Sequence, residues 1–177
     1  MGMWARWRAA RDRRRLASRY LDALPRAIAP ADAVWLCDMG VTEEVARREL
    51  AFALRAVALI VAERDALDDR TASDVAHRLA PEIQREFHAN AGTGRAWDQR
   101  WRAYTGALAM RGDADAPAVR LARVLLGGAG LVSPEPEQVA SASAFITDVR
   151  SRANESLRHA FGVASLPDDV RPSALSR

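Results

Sequence analysis

The residue pair best suited to metal chemistry is Asp74-x-x-His77, because residues three apart lie on one face of a helix. A carboxylate-bridged di-metal site in a helical bundle needs Glu-x-x-His on two helices and a further Glu from each of two others. Glu155 and His159 are four residues apart and do not fit this motif. With three histidines and one cysteine in the chain, we expect no metal site. A metal-binding or enzymatic bundle built on Asp74 and His77 is the alternative.

Motifs for covalent or phosphate chemistry are missing as well. The chain contains no lysine, which excludes Schiff-base chemistry and the lysine of a phosphate-binding loop. Gly92-Thr93-Gly94 and the glycines from 127 to 130 lack the remaining residues of a nucleotide-binding loop, and we interpret them as helix ends. Cys37 follows two apolar residues and has no nearby histidine, which favours an unreactive buried thiol. We therefore expect a non-enzymatic protein without a cofactor.

Helical spacing of apolar residues recurs along the chain, and no alternating strand pattern is present. These patterns predict an all-α fold, an irregular bundle of five or six helices. The predicted helices run from about residue 3 to 24, from the Thr42 cap to 67, from a Thr71 or Ser73 cap past Pro81 to Gly92, from 95 to 111, from Pro117 to Gly127, and from Ser133 to Phe161, with an optional short turn at 32–38.

The length of 177 residues and the absence of repeats or linkers predict a single domain over 1–163, with a loose tail at 164–177. The segment 50–62 is apolar nearly all round except for Arg55, which predicts a central buried helix too short to span a bilayer. We expect Arg55 to extend along an exposed stripe beside Arg48; a buried ion pair is the alternative.

The fourth predicted helix carries Trp97, Trp101, Tyr104 and Leu108 on one face. This spacing most simply predicts a core face, and contact with a partner is the alternative. No signal peptide is evident, and a single cysteine suits a reducing compartment. We expect a cytoplasmic protein, with a peripheral position on the inner membrane face as the alternative.

Charge is concentrated at the N-terminus, where the first 20 residues hold seven arginines and one acidic residue, although the whole chain has a net charge of only +3. On a helical wheel, Leu16, Tyr20 and Leu24 form a stripe that would dock on the core, while the first half, 1–15, projects. Arginine with interleaved tryptophan suits an anionic membrane surface or a membrane-protein partner. A solvated arm is the alternative; no helix-turn-helix supports nucleic-acid binding. The candidate binding residues are Trp4, Trp7, Arg8, Arg11, Arg14 and Arg15.

Several segments together resemble the ubiquinol–cytochrome c chaperone family. These are the Arg-rich first helix with Arg15–Leu21, the aromatic turn Trp35–Val41, an arginine before an apolar helix, Trp97–Tyr104, and a later helix that ends in two glycines. Thr42 and Glu43 stand where the family has Pro-Asp. The positions that match the family are Gly40, Val41, Arg48, Arg100 and Tyr104. The resemblance implies an all-helical assembly chaperone that holds a newly made membrane subunit such as cytochrome b. A peripheral structural subunit of a larger membrane complex is the alternative.

Overall fold

A computed structural model describes residues 3–27, 32–64, 69–110 and 114–161. Within these ranges there are seven helices and no strands, so the predicted all-α fold is confirmed. The count exceeds five or six because the short turn near residue 35 forms a helix of its own. The helices are α1 (Met3–Ala27), α2 (Val34–Cys37), α3 (Glu43–Arg64), α4 (Asp69–His88), α5 (Ala91–Ala109), α6 (Pro117–Gly128) and α7 (Pro136–Phe161). The predicted tail, 164–177, lies outside the described residues.

Helix α3 is the centre of the bundle, as its apolar composition predicts. Between Leu50 and Ala62, every side chain is buried except Ala51 and Arg55, which are half-buried. Helices α2, α4, α5, α6 and α7 all pack against α3. A helix that is apolar on all sides is stable in water only when neighbours cover each side, and this arrangement supplies them.

Helix α7 forms one wall of the bundle and contacts α1, α3 and α6. Its predicted stripe is buried at Ala142, Ile146, Val149, Ala153, Leu157 and Ala160, and half-buried at Val139. Helix α1 packs on α7 and α4 through its second half, in which Tyr20 and Leu24 are buried. The second half of α1 is therefore packed on the bundle, and the first half extends from it.

Two prolines are tolerated inside helices. Helix α1 passes Pro25 and ends at Ala27, and α4 continues through Pro81 without interruption. An interior proline costs roughly 3 kcal/mol, and burial of Leu79 and Ile83 on the same helix offsets this cost in α4. The predicted end of the first helix at 24 is therefore too early.

The boundary between α4 and α5 also differs from the prediction. Asn90 caps α5, because its side-chain Oδ1 accepts hydrogen bonds from the amides of Gly92 at 2.8 Å and Thr93 at 3.2 Å. The glycines that were interpreted as a helix end therefore lie in the first turn of the next helix. Similarly, α7 begins at Pro136 rather than at Ser133.

The half-buried Arg55 forms an ion pair rather than extending along an exposed stripe. Its Nε and Nη2 atoms lie 2.8 and 3.1 Å from the two carboxylate oxygens of Glu86. This two-point contact ties α3 to α4 at the edge of the core. The expectation of a stripe shared with Arg48 was wrong, and Arg48 turns to a different carboxylate.

Candidate functional site

The exposed N-terminal half of α1 presents two tryptophans among arginines. Trp4 is 71% exposed and Trp7 is 56% exposed, and Met3 beside them is 83% exposed. The four arginines predicted on this face are exposed as well. We call the six residues Trp4, Trp7, Arg8, Arg11, Arg14 and Arg15 the Arg/Trp surface.

The aromatic residues of the Arg/Trp surface are arranged against each other. The rings of Trp4 and Trp7 meet edge to face, with centroids 6.1 Å apart and an interplanar angle of 76°. The Arg11 guanidinium lies 5.7 Å from the centre of the Trp7 ring, within reach of a cation–π interaction. The surface therefore combines apolar area with adjacent positive charge, which is the combination that an anionic and partly apolar partner requires.

The arginines of the Arg/Trp surface differ from many others in the bundle because none has an acidic partner among the described side chains. Among the side chains that the structure describes, no carboxylate lies within salt-bridge distance of any of the four. Elsewhere in the described structure, ion pairs with a carboxylate are made by Arg47, Arg48, Arg55, Arg100, Arg123 and Arg152. The positive charge of this surface is therefore not neutralised by the described part of the protein.

A second polar feature lies inside the bundle, around the fully buried side chain of Glu49. Arg100 places its Nε 2.6 Å from one carboxylate oxygen and its Nη2 3.3 Å from the other. Arg48 donates from Nη2 to the second oxygen at 3.2 Å. The Nη2 of Arg100 also donates to the carbonyl of Gly128 at 2.9 Å. The Glu49 carboxylate thereby links α3 to α5, and Arg100 extends the link to the end of α6. We call Glu49, Arg48, Arg100, Gly128 and Tyr104 the Glu49 cluster.

Gly128 is needed for the close packing of this cluster. A Cβ atom at this position would overlap both the Arg100 Nε and the Glu49 carboxylate oxygen. A neighbouring glycine, Gly127, has nothing within 4 Å of an added Cβ. Of the two glycines that end α6, only the second is therefore required by side-chain packing.

Tyr104 completes the cluster with a buried hydroxyl for which the described residues provide no hydrogen-bond partner. Burial raises the pKa of Tyr104 above its ordinary value, and the negative charge of Glu49 raises it further, while Arg100 partly offsets the effect. The hydroxyl therefore stays protonated at any physiological pH. Both oxygens of Glu49 are already engaged by guanidinium groups, so neither residue is available as a general base.

Three of the five positions that resemble the chaperone family meet in this cluster: Arg48, Arg100 and Tyr104. The other two lie in the turn between α2 and α3, where Gly40 has a φ of +87° and Val41 is buried. A φ in this range favours glycine, because a side chain there would be strained. Gly40 thus suits the backbone of this turn, and Arg48, Arg100 and Tyr104 take part in the Glu49 cluster. Neither Glu49 nor the contact made by Gly128 was predicted from the sequence.

The aromatic residues of α5 are mainly core residues. Trp97 is 3% exposed and packs against Phe87, with ring centroids 4.9 Å apart, and against Phe52 at 5.8 Å. Trp101 is half-buried and stacks on Trp97. The predicted core face is confirmed for Trp97 and Tyr104, whereas Trp101 reaches the edge of the core.

The structure describes only some of the residues that were considered for metal or covalent chemistry. His77 lies on the exposed side of α4, and the side chain of Asp74 lies outside the described residues. No group of three or more His, Cys, Asp or Glu residues that could hold a metal occurs in the described ranges. Cys37 is half-buried in α2. In the same ranges, no helix has the length and hydropathy needed to cross a membrane.

Comparison of the chain with protein-family models, with curated proteins and with solved structures finds no match.

Proposed function

We propose that the protein is a non-enzymatic helical binding protein that attaches to an anionic membrane face through the Arg/Trp surface. The observation that carries this proposal is the pair of exposed tryptophans, Trp4 and Trp7, among four arginines that have no carboxylate partner in the described structure. Tryptophan is favoured at the boundary between headgroups and acyl chains, and arginine is attracted to anionic headgroups.

The expected strength suits reversible attachment. Each arginine near an anionic surface contributes about 1 kcal/mol, so the four together give about 4 kcal/mol, which corresponds to a Kd of about 1 mM. Burial of a large apolar side chain adds about 1.5–3 kcal/mol. With both tryptophans inserted, the estimate reaches the micromolar range. Charge and aromatic insertion are therefore both needed for useful affinity.

The role at the membrane follows from the family resemblance. We propose that the protein acts as an assembly chaperone that holds a newly made membrane subunit, similar to cytochrome b, at the inner membrane face. Its support is the helical fold, which a chaperone of this family is expected to have, and the meeting of Arg48, Arg100 and Tyr104 around one carboxylate. A binding protein of this kind requires no catalytic group.

The test uses the tagged full chain, incubated with native inner-membrane vesicles and then recovered in mild detergent for mass spectrometry. The wild type should sediment with the vesicles and enrich a polytopic subunit of the cytochrome b type. The variant Arg8→Gln/Arg11→Gln should remain largely in the supernatant. The matched control Arg95→Gln/Arg102→Gln removes two exposed charges from α5 and should sediment like the wild type.

Two results would contradict the proposal. Sedimentation of the Arg8→Gln/Arg11→Gln variant at the wild-type level would exclude the Arg/Trp surface as the attachment site. Recovery of no polytopic subunit from membranes that the protein does bind would refute the chaperone role and leave only membrane attachment.

A further inference from the structure

Helix α4 contributes an arginine to the exposed side of α1. Arg78 reaches across the crossing of the two helices, and its Nη1 donates to the Ser18 hydroxyl at 2.7 Å and to the Arg14 carbonyl at 3.4 Å. The Ser18 hydroxyl in turn donates to the same Arg14 carbonyl at 2.9 Å. The guanidinium of Arg78 is thus fixed to α1 by two neutral acceptors.

Ser18 lies on the same face of α1 as the Arg/Trp surface. It follows Trp7, Arg11 and Arg14 at steps of four, three and four residues, which keeps all of them on one side of a helix. Arg78 therefore stands at the inner end of that surface, where α1 meets the bundle. Its charge extends the basic region from a single helix onto a second one.

Among the side chains that the structure describes, none supplies Arg78 with an anionic partner. No carboxylate among the described side chains pairs with it, and its Nε and Nη2 atoms make no hydrogen bond to the described residues. The Nε–Nη2 edge is the part of a guanidinium that binds carboxylate or phosphate oxygens in pairs. Within the described part of the chain, the half-buried Arg78 guanidinium is held next to Arg14 through Nη1, which leaves this edge for an anion.

We propose that Arg78, Ser18 and Arg14 form a binding site for the phosphate group of an anionic phospholipid. This inference rests on the proposed membrane attachment and adds one discrete headgroup site, at the α1–α4 crossing, to the diffuse attraction of the other arginines. Phospholipid is the phosphate source that fits, because the exposed tryptophans of the same face supply the apolar contact that a dissolved phosphate does not need. The tether from Ser18 holds the guanidinium in place before the lipid arrives, which lowers the entropic cost of binding.

The test measures co-sedimentation of the full chain with vesicles of phosphatidylcholine containing about one third phosphatidylserine. Removal of one arginine from an anionic surface costs roughly 1 kcal/mol, so Arg78→Gln should weaken binding about fivefold. Arg78→Lys keeps the charge but loses the paired donors. It should restore less than half of the affinity that Arg78→Gln loses. Arg102 is an exposed arginine of α5 that forms no salt bridge with the described residues, and Arg102→Gln should stay within about twofold of the wild type.

Thermal unfolding of each variant, monitored by circular dichroism, distinguishes loss of the binding site from loss of the fold. A cooperative transition near that of the wild type shows that α1 remains docked. Arg78→Lys serves as the second variant if Arg78→Gln does not fold, because it preserves a donor to Ser18.

Three outcomes would overturn the headgroup site. Wild-type affinity in Arg78→Gln would place Arg78 outside the membrane contact. Wild-type affinity in Arg78→Lys would show that charge alone matters. Equal binding to a DNA duplex, with the same dependence on Arg78, would assign the site to nucleic-acid phosphate. If either Arg78 variant keeps wild-type affinity, loss of vesicle binding in Arg8→Gln/Arg11→Gln would still support the proposed membrane attachment. The headgroup site and the membrane attachment can therefore fail separately.

Discussion

Substitution of Gly128 by alanine should destabilise the protein, whereas the same substitution at Gly127 should stabilise it. A Cβ on Gly128 would overlap the Arg100 Nε and a carboxylate oxygen of Glu49, and the Glu49 side chain is fully buried. The ion pair must therefore separate or the end of α6 must move. Gly127, one residue earlier in α6, has open space around an added Cβ.

Two opposing effects set the change in the free energy of unfolding in Gly128→Ala. Breaking a buried ion pair while leaving a charge uncompensated costs about 3–5 kcal/mol. Replacing glycine by alanine inside a helix gains up to about 1 kcal/mol. The net loss in Gly128→Ala should be about 2–4 kcal/mol, which lowers Tm by roughly 5–15 °C for a chain of this length. Gly127→Ala should instead gain up to about 1 kcal/mol.

The assay is urea unfolding monitored by circular dichroism. The free energy of unfolding of each variant is compared with that of the wild type at equal m-values. A double variant sharpens the test, because the part of the Gly128→Ala cost that comes from separating Arg100 from Glu49 should be absent in an Arg100→Leu background. If Gly128→Ala proves as stable as Gly127→Ala, then the Glu49 cluster is not the tightly packed ion pair described above.

Three further predictions concern single side chains. Tyr104→Phe should be at least as stable as the wild type near neutral pH, because it removes a buried hydroxyl without a partner in the described structure. The pKa of Tyr104 is higher in the folded protein than in the unfolded chain, so above about pH 10 only the unfolded state ionises and the free energy of unfolding falls. Urea unfolding at about pH 8 and 11 should show a smaller fall in the free energy of unfolding in Tyr104→Phe than in the wild type, and an equal fall would refute this reasoning. Asn90→Ala should cost about 1 kcal/mol through loss of the α5 cap, and no change in the urea midpoint would show that the cap is dispensable. Glu86→Gln should cost less than about 1 kcal/mol, since its pair with Arg55 is partly solvent-exposed, and a loss of several kcal/mol would indicate a more buried contact.

Periodicity in the sequence was sufficient to predict the helices and their buried faces. The α7 stripe from Ala142 to Ala160 and the all-round apolar segment of α3 follow from residue type and a period of 3.6, and these features are local. Helix ends were less predictable. Asn90 is a cap residue by type, but the two glycines after it suggested a helix end instead.

The contacts of the candidate sites depend on long-range packing that sequence spacing does not encode. Glu49 meets Arg100, 51 residues further on, and Arg100 meets Gly128 28 residues beyond that. The contact between Arg78 and Ser18 spans 60 residues. A glutamate at the edge of an apolar helix was the only local signal of the buried ion pair. By contrast, the Arg/Trp surface is formed by one helix, so its shared face was evident from the sequence.

Under the proposed attachment, Trp4 and Trp7 enter an anionic membrane surface. This insertion is tested most directly by tryptophan fluorescence of the full chain with anionic vesicles that carry brominated acyl chains. We expect a blue shift and strong quenching in the wild type. Most of this response should be lost in Trp4→Phe/Trp7→Phe, because the remaining tryptophans that the structure describes are buried or half-buried. No quenching in the wild type, or undiminished quenching in the double variant, would contradict the proposed insertion.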